Sequence, residues 1–276
     1  MIREAKPFFS VVTISYNQGA YLPDCLSSVR EQDFGPVEHI VVDPGSCDQS
    51  IPHILQSIPS DLAILEPDAG PADGLNKGFE KARGDYVLFI NADDFLLPGA
   101  LSRAYTLLRQ HHWPDLLLLG GIVLREENGT QTRVFPGSTV GWIQALGLSH
   151  FFQQGLIIKL NTFRHTTAFN LRNKTCWDME LLHQVASLPN VRICRAKNAI
   201  AAFRIHSTSI SGSGRMEEEY CSDLQRIART FYGKKLVIAR SLLQSLPSLL
   251  LKIMKYLLDP RLAFWMAKAS FRQSVP

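Results

Sequence analysis

The segment Asn91-Ala-Asp-Asp94 sets clustered oxygen donors directly behind an apolar run, Asp85-Tyr-Val-Leu-Phe-Ile90. Carboxylate and amide oxygens gathered in this way suit a hard divalent cation, which can in turn hold the phosphates of a substrate. Two earlier apolar runs end similarly. Phe8 to Ser15 leads into Ser15-Tyr-Asn17, and Val37 onward leads into Asp43. If these runs are parallel strands, the three endings share the carboxyl edge of one sheet, where open α/β sheets bind ligands. That coincidence points to a nucleotide site. Taken singly, each residue has a structural alternative: Asp93 or Asp94 as the cap of a helix begun near Pro98, Asp43 as a turn residue, and Tyr16 as a core aromatic.

The stretch Glu66-Pro-Asp-Ala-Gly-Pro-Ala-Asp-Gly-Leu-Asn-Lys-Gly78 is unusually polar for a strand-to-helix crossing. It places Asp68, Asp73, Asn76 and Lys77 in or near the first turns of a helix, where free backbone N–H groups favour anions. Asp73 could equally satisfy the helix end, and Lys77 could be solvated. The glycine spacing fits neither a phosphate-binding P-loop nor a dinucleotide fingerprint. His206 by itself would be a surface histidine, and the His111-His112 pair lacks partners at metal-ligand spacing.

The elements that must carry these residues alternate between strand and helix, which argues for a mostly parallel α/β sheet flanked by helices. Strands are expected over Phe8–Ser15, Val37–Asp43, Leu62–Leu65 and the run ending at Asn91, with helices over Tyr21–Glu31 and Ala72–Ala82 and a short one near Asp48. Pro23 is tolerated in a first helical turn. Beyond Pro98 the pattern predicts a helix to about His111, a strand over Asp115–Leu119, and a hairpin of Ile122–Arg125 with Thr130–Phe135 around Asn128-Gly129. Helical spacing recurs over Trp142–Leu148 and Asp178–Ala186, and Val191–His206 reads as two strands.

At 276 residues, 46% of them hydrophobic and 9% aromatic, the chain has the make-up of a packed protein rather than a disordered one. A net charge of +4 favours anionic partners only weakly, and no nucleic-acid partner is expected. Five cysteines without a CxxC pair, and an N-terminus lacking a long apolar stretch, predict reduced thiols in a cytoplasmic protein. After Gly212-Ser-Gly214 the character changes. Glu217–Phe231 is a charged helical segment, and Leu236–Leu258 is apolar but interrupted by Arg240, Lys252, Lys255 and Pro247, which makes it a poor membrane span. The two segments read as an amphipathic helical pair, packed on the core or a second subunit, or lying at a membrane surface. The expected division is 1–211 as one domain, with halves at about 1–100 and 101–211, and 212–276 as a helical extension.

Several motifs in order resemble family 2 glycosyltransferases: Val11-Val-Thr-Ile-Ser-Tyr-Asn-Gln-Gly-Ala-Tyr-Leu22, Val41-Val-Asp-Pro-Gly-Ser-Cys-Asp48, Glu66-Pro-Asp-Ala-Gly70, Asn76-Lys-Gly-Phe79, and Asn91-Ala-Asp-Asp94 with Pro98-Gly-Ala-Leu101. Gln153-Gln-Gly155, Ala168-Phe-Asn170, Trp177-Asp-Met-Glu-Leu181 and Phe203-Arg-Ile-His206 continue the likeness. The resemblance implies a GT-A fold, with a nucleotide-binding half and an acceptor half over one sheet. It implies inverting transfer from a nucleotide-diphosphate-sugar to a glycan or lipid-linked glycan acceptor, in bacterial surface polysaccharide or related assembly.

Asn91-Ala-Asp93 stands in the place of the family's DXD motif, so Asp93, with His206, would hold Mn²⁺ or Mg²⁺ on the diphosphate. Ser15, Tyr16, Asn17, Asp43, Asp68, Asp73, Asn76, Lys77, Asn91, Ala92 and Arg204 would face the donor. Asp178 aligns with the family's base, with Glu180 in reserve; two residues apart on a helix, they do not share a face. The alternative for Asp178 is a helix N-cap. The chain departs from the family at Pro44, where many relatives have an acid, at Asn91, and at Thr167-Ala-Phe-Asn170. Two other readings stay open: a nucleotidyltransferase, and a degenerate relative that binds nucleotide-sugar without turnover. An oligomer and a peripheral place at the inner face of a membrane are also left open.

Overall fold

A computed structural model describes residues 6–136, 151–209, 213 and 215–233. Its centre is a mixed sheet in the order β3-β2-β1-β4-β8-β6-β9-β5, with β7 hydrogen-bonded to β6. The first strands are β1 (Phe9–Ile14), β2 (Val37–Val42), β3 (Ala63–Ile64) and β4 (Tyr86–Asn91). All four run parallel, with Ile14 level with Val42 on one side and Asn91 on the other. The helices between them are α1 (Leu22–Arg30), α2 (Ser50–Ser57) and α3 (Pro71–Lys81). Proline lies in the first turn of both α1 and α3, where its missing N–H would have no intrahelical partner anyway.

The apolar runs are continuous because both sheet faces are covered. Val12, Val87 and Phe89 pack with Leu75 and Phe79 of α3 on one face. Their neighbours Val11, Leu88 and Ile90 face the opposite way, against Cys25 and Val29 of α1 and Leu101 and Leu108 of α4 (Ala100–Gln110). Helix α3 sits so close to β1 that a Cβ added at Gly78 would lie 2.4 Å from Val12 Cγ1. Gly78 is therefore a packing glycine.

The second half adds β5 (Phe95–Leu96), β6 (Leu116–Arg125), β7 (Thr130–Val134), β8 (Leu156–Lys159) and β9 (Ile193–Ile205). It also carries α5 (Leu160–Phe163), α6 (Trp177–Ala186) and α7 (Glu217–Tyr232). Strand β8 lies antiparallel between β4 and β6, and β6 is parallel to β9, so β9 points the same way as β4. Two expectations need correction. The strand at Asp115–Leu119 and the hairpin arm at Ile122–Arg125 are one strand, bridged by Gly120-Gly121. The two strands expected over Val191–His206 are likewise one, irregular in register against β6 around those glycines. Strands β5 and β8 and helix α5 were not anticipated.

Helix α7 packs Leu224 and Ile227 against Cys176 and Met179, at the start of α6. The expected helix over 142–148 and the apolar segment 236–258 lie outside the described residues. Among the described residues, no helix is long and apolar enough to cross a membrane.

Candidate active site

The parallel arrangement brings the ends of β1, β2, β4 and β9 to one rim. Asp93, just past β4, and His206, just past β9, meet there with Oδ2 and Nε2 3.1 Å apart. The imidazole is positioned from two other sides. Its Nδ1 is 2.8 Å from Thr208 Oγ1, and the Tyr21 ring lies against it with centroids 4.4 Å apart. Where Nδ1–H donates to Thr208, the Nε2 lone pair faces the Asp93 carboxylate, an arrangement that invites a positive charge between them.

That spacing fits a cation. Two adjacent ligands of one octahedral ion, each at ~2.1 Å, sit about 3 Å apart. A carboxylate with an imidazole suits Mn²⁺ at least as well as Mg²⁺, which favours oxygen alone. Among the described residues no group of three or more His, Cys, Asp or Glu side chains could enclose an ion. The pair therefore suits an ion that completes its shell with substrate oxygens and water.

Asp94 does different work. It is fully buried and accepts from Arg204 N at 2.9 Å, Gln154 Nε2 at 2.6 Å and Asn91 Nδ2 at 3.3 Å. Burial, and then the charge of Asp93, push its carboxyl well above the usual range. Asp94 thus ties the β4 loop to β9 and holds Asp93 opposite His206. Neither aspartate caps α4, whose N-cap is Gly99 with φ of 68°. Asn91 itself reaches Asp94 and Gln153 rather than His206. The side chain of Arg204 pairs with Asp24 at 3.0 Å and Glu126 at 3.6 Å and lies over the Tyr21 and Phe95 rings.

On the far side of the rim, Asp43 is fully buried. It builds the following turn, accepting from Gly45 N, Ser46 N and Ser46 Oγ at 2.7–3.0 Å. Asn17, in the left-handed region with φ of 52°, accepts from Cys47 N and donates its own N–H to Ser46 Oγ. These contacts join the β1 and β2 loops into one floor. The Tyr16 ring is 60% exposed above it, not a core aromatic. Ser15 Oγ is buried and, among the described residues, has no hydrogen-bond partner.

The α3 residues are more engaged than their polarity suggests. Asp73 accepts from Ala69 N at the helix start, and Lys77 reaches Pro67 O and Glu66. Asp68 accepts from Gly70 N, and burial raises its carboxyl. Both ends of the Asn76 amide are occupied by the Phe169 backbone, at 2.8 and 2.9 Å. Asn76 is a clamp between the two halves, with its carbonyl oxygen and one of its two amide N–H groups engaged by Phe169.

Asp178 and Glu180 divide cleanly. Asp178 is the second residue of α6, whose N-cap is Cys176, so it is not the cap. Burial pushes its carboxyl up to about 6, and its hydrogen bond is to the adjacent Met179 N. Glu180 is held by Arg226 through both oxygens, at 2.7 and 2.9 Å, and by Asn170 and Asn173. Burial would raise its carboxyl, but these hydrogen bonds outweigh it and hold it below the usual range. A carboxylate with both oxygens so engaged is a poor proton acceptor, which leaves Asp178 as the candidate base.

Tyr21, Thr208, Gln154 and Arg226 escaped the sequence reading. Tyr21 and Gln154 sit inside quoted motifs and Thr208 two residues past one, but their contacts, like those of Arg226, are long-range or depend on the fold, which spacing does not encode.

The chain matches the family model described as Glycosyl transferase family 2 over residues 10–169. A PGL/p-HBAD biosynthesis glycosyltransferase of Mycobacterium tuberculosis is 33% identical over 129 residues, 45% of this chain and 50% of that protein. The poly(ribitol-phosphate) beta-N-acetylglucosaminyltransferase TarS of Staphylococcus aureus is 33% identical over 118 residues, 40% of this chain and 20% of that protein. The matches thus span about half or less of these relatives.

Among solved structures, TarS 1-349 in complex with UDP-GlcNAc superposes with a TM-score of 0.61 at 19% identity, covering 90% of this chain and 70% of that one. The mannosyltransferase PcManGT from Pyrobaculum calidifontis, in complex with GDP-Man and Mn²⁺, gives 0.63 at 15% identity, covering 99% and 77%. Such low identities speak for the fold, which is of the GT-A type. With the family model covering more than half of its length, the chain belongs to glycosyl transferase family 2.

Proposed function

We propose that this chain is an inverting, metal-dependent glycosyltransferase. It moves a sugar from a nucleoside-diphosphate-sugar to an acceptor hydroxyl, in the assembly of a bacterial surface glycan. The observation that carries the reading is the Asp93–His206 pair at the rim, with a separate high-pKa carboxyl, Asp178, in the second half. The relatives named for glycolipid and poly(ribitol-phosphate) glycosylation support the setting. Solved neighbours in complex with UDP-GlcNAc and GDP-Man support a nucleotide-sugar donor.

In this reading the floor of Ser15, Tyr16, Asn17 and Asp43 receives the nucleoside, with the exposed Tyr16 ring offering a surface for the base. Ser15 Oγ gains the partner it lacks among the described residues. Asp93 and His206 would hold a divalent cation, which when bound would neutralise charge developing on the leaving diphosphate. Asp178 accepts the proton of the acceptor hydroxyl as its oxygen bonds to the anomeric carbon. The bond from that carbon to the diphosphate oxygen breaks, and the electron pair leaves with the nucleoside diphosphate. A base with a pKa near 6 is ionised at neutral pH yet basic enough to contribute a factor of ~10²–10⁴. Membrane contact through the C-terminal extension belongs to this proposal as a setting for lipid-linked acceptors.

The test is a panel of UDP- and GDP-sugars with Mn²⁺, scored for thermal stabilisation and for nucleoside diphosphate release. We expect one donor class to stabilise the protein and be cleaved slowly in water. Release of pyrophosphate from a nucleoside triphosphate instead would overturn the reading in favour of nucleotidyl transfer.

A further inference from the structure

Helix α7 grips the segment that carries Asp178 from both sides. Upstream, Asp223 Oδ2 accepts from Lys174 N, Thr175 N and Thr175 Oγ1 at 2.9–3.0 Å. Downstream, Arg226 forks onto Glu180 and also reaches Asp223 Oδ1 at 3.2 Å. Asn173 closes the circuit, donating to Glu180 at 2.7 Å and accepting from Cys176 N at 2.7 Å. The Glu180 and Asp223 side chains are almost wholly buried, so the ionic contacts are little screened.

The circuit also reaches the donor half. Asn170 donates to Glu180, and the residue before it, Phe169, is clamped by Asn76 of α3. Asp178 itself is the one carboxylate here without a cationic partner among the described residues. Its ionic neighbours Glu180, Asp223 and Arg226 pair with one another.

We propose that Arg226 and Asp223 are positioning residues for the catalytic base. Through Glu180 and the backbone at 174–175 they fix α6 so that the Asp178 carboxylate is held, half-buried and unpaired, toward the acceptor. The C-terminal helix is thereby part of the catalytic apparatus without touching substrate. Fork geometry matters because a guanidinium holds both carboxylate oxygens at once, which an ammonium does not. The inference rests on the reading of Asp178 as base and extends it.

The test compares Arg226→Ala and Arg226→Lys with wild type. A double variant, Glu180→Gln with Arg226→Gln, serves if Arg226→Ala does not fold, since it removes the Glu180 charge together with its partner and leaves Asp223 its hydrogen bonds from Lys174 and Thr175. One readout needs no activity: the change in melting temperature caused by Asp178→Asn at pH 8, measured in each background. If Arg226 fixes the surroundings of the Asp178 carboxyl, that change shrinks with Arg226→Ala or in the double variant and is restored only in part by Arg226→Lys, which keeps the charge but loses the fork.

The second readout is Mn²⁺-dependent hydrolysis of the nucleotide-sugar selected by the panel. We expect its rate to fall at least ~10-fold, toward the 10²-fold that a misplaced group can cost, with donor affinity unchanged. The pH inflection should move down from near 6 toward that of an ordinary aspartate. A folded Arg226 variant with wild-type rate and inflection, while Asp178→Asn is inactive, overturns the positioning role alone. Full hydrolysis by Asp178→Asn overturns the base reading beneath it.

Discussion

Replacing Asp178 by Asn should make the protein more stable, and by a pH-dependent amount. Burial sets the carboxyl near 6, against an ordinary value of 3.8. At ~1.36 kcal/mol per pH unit, that difference corresponds to about 3 kcal/mol of preference for the neutral form in the folded state. The sign follows from a folded pKa above the unfolded one. Between about 4 and 6 the native state binds more protons than the unfolded chain, so stability falls as pH rises through that window.

Above pH 6 the full cost of the half-buried carboxylate is present. Below about pH 4 both states are protonated and the cost is gone. Asn, nearly isosteric and never charged, removes the cost. At roughly 2–4 °C per kcal/mol for a protein of this size, and allowing for the amide's own burial, a gain of about 5 °C is expected at pH 8. Differential scanning calorimetry of both proteins from pH 4 to 8 is the assay. A gain present at pH 8 and absent at pH 4 bears the reasoning out. Equal melting temperatures across the range, or a gain that does not change with pH, would refute the claim that burial raises this carboxyl.

Two further substitutions separate ligand residues from structural ones. Asn76→Ala removes both hydrogen bonds to the Phe169 backbone and should cost roughly 2 kcal/mol in urea melts. Its nucleotide affinity should be unchanged; weakened nucleotide binding at unaltered stability would return Asn76 to the donor site. Gly78→Ala drives a methyl to within 2.4 Å of Val12 Cγ1, so overpacking should cost about 1–3 kcal/mol, and an unshifted urea midpoint would contradict the tight α3–β1 contact.

The shared rim was legible because it rests on local signals. Parallel strands buried on both faces read as unbroken apolar runs, and polar residues ending several such runs must converge once the strands are parallel. Ser15, Asp43, Asn91 and Asp93 stand at such strand ends and share the rim in the fold. It stopped at groups whose roles depend on distant partners. Asn76 looks like a helix-terminus polar residue until Phe169, far along the chain, takes both ends of its amide. Asp178 and Glu180 are acids of one helical turn, and Arg226 makes Glu180 an ion-pair anchor while Asp178 has no cationic partner among the described residues.

The second half was harder to read for the same reason. Strand β8 has only four residues and gains its identity by inserting between β4 and β6. The long β9 reads as two strands because its pairing shifts register beside Gly120 and Gly121.

Calorimetric titration of UDP and GDP into the protein, with Mn²⁺ and with chelator, tests the central claim most directly. Wild type should bind one of these nucleotides far more tightly with Mn²⁺, and Asp93→Ala and His206→Ala should each remove most of that enhancement while keeping the fold. Binding of equal strength in chelator, or an undiminished Mn²⁺ effect in both variants, would contradict a cation held between these side chains.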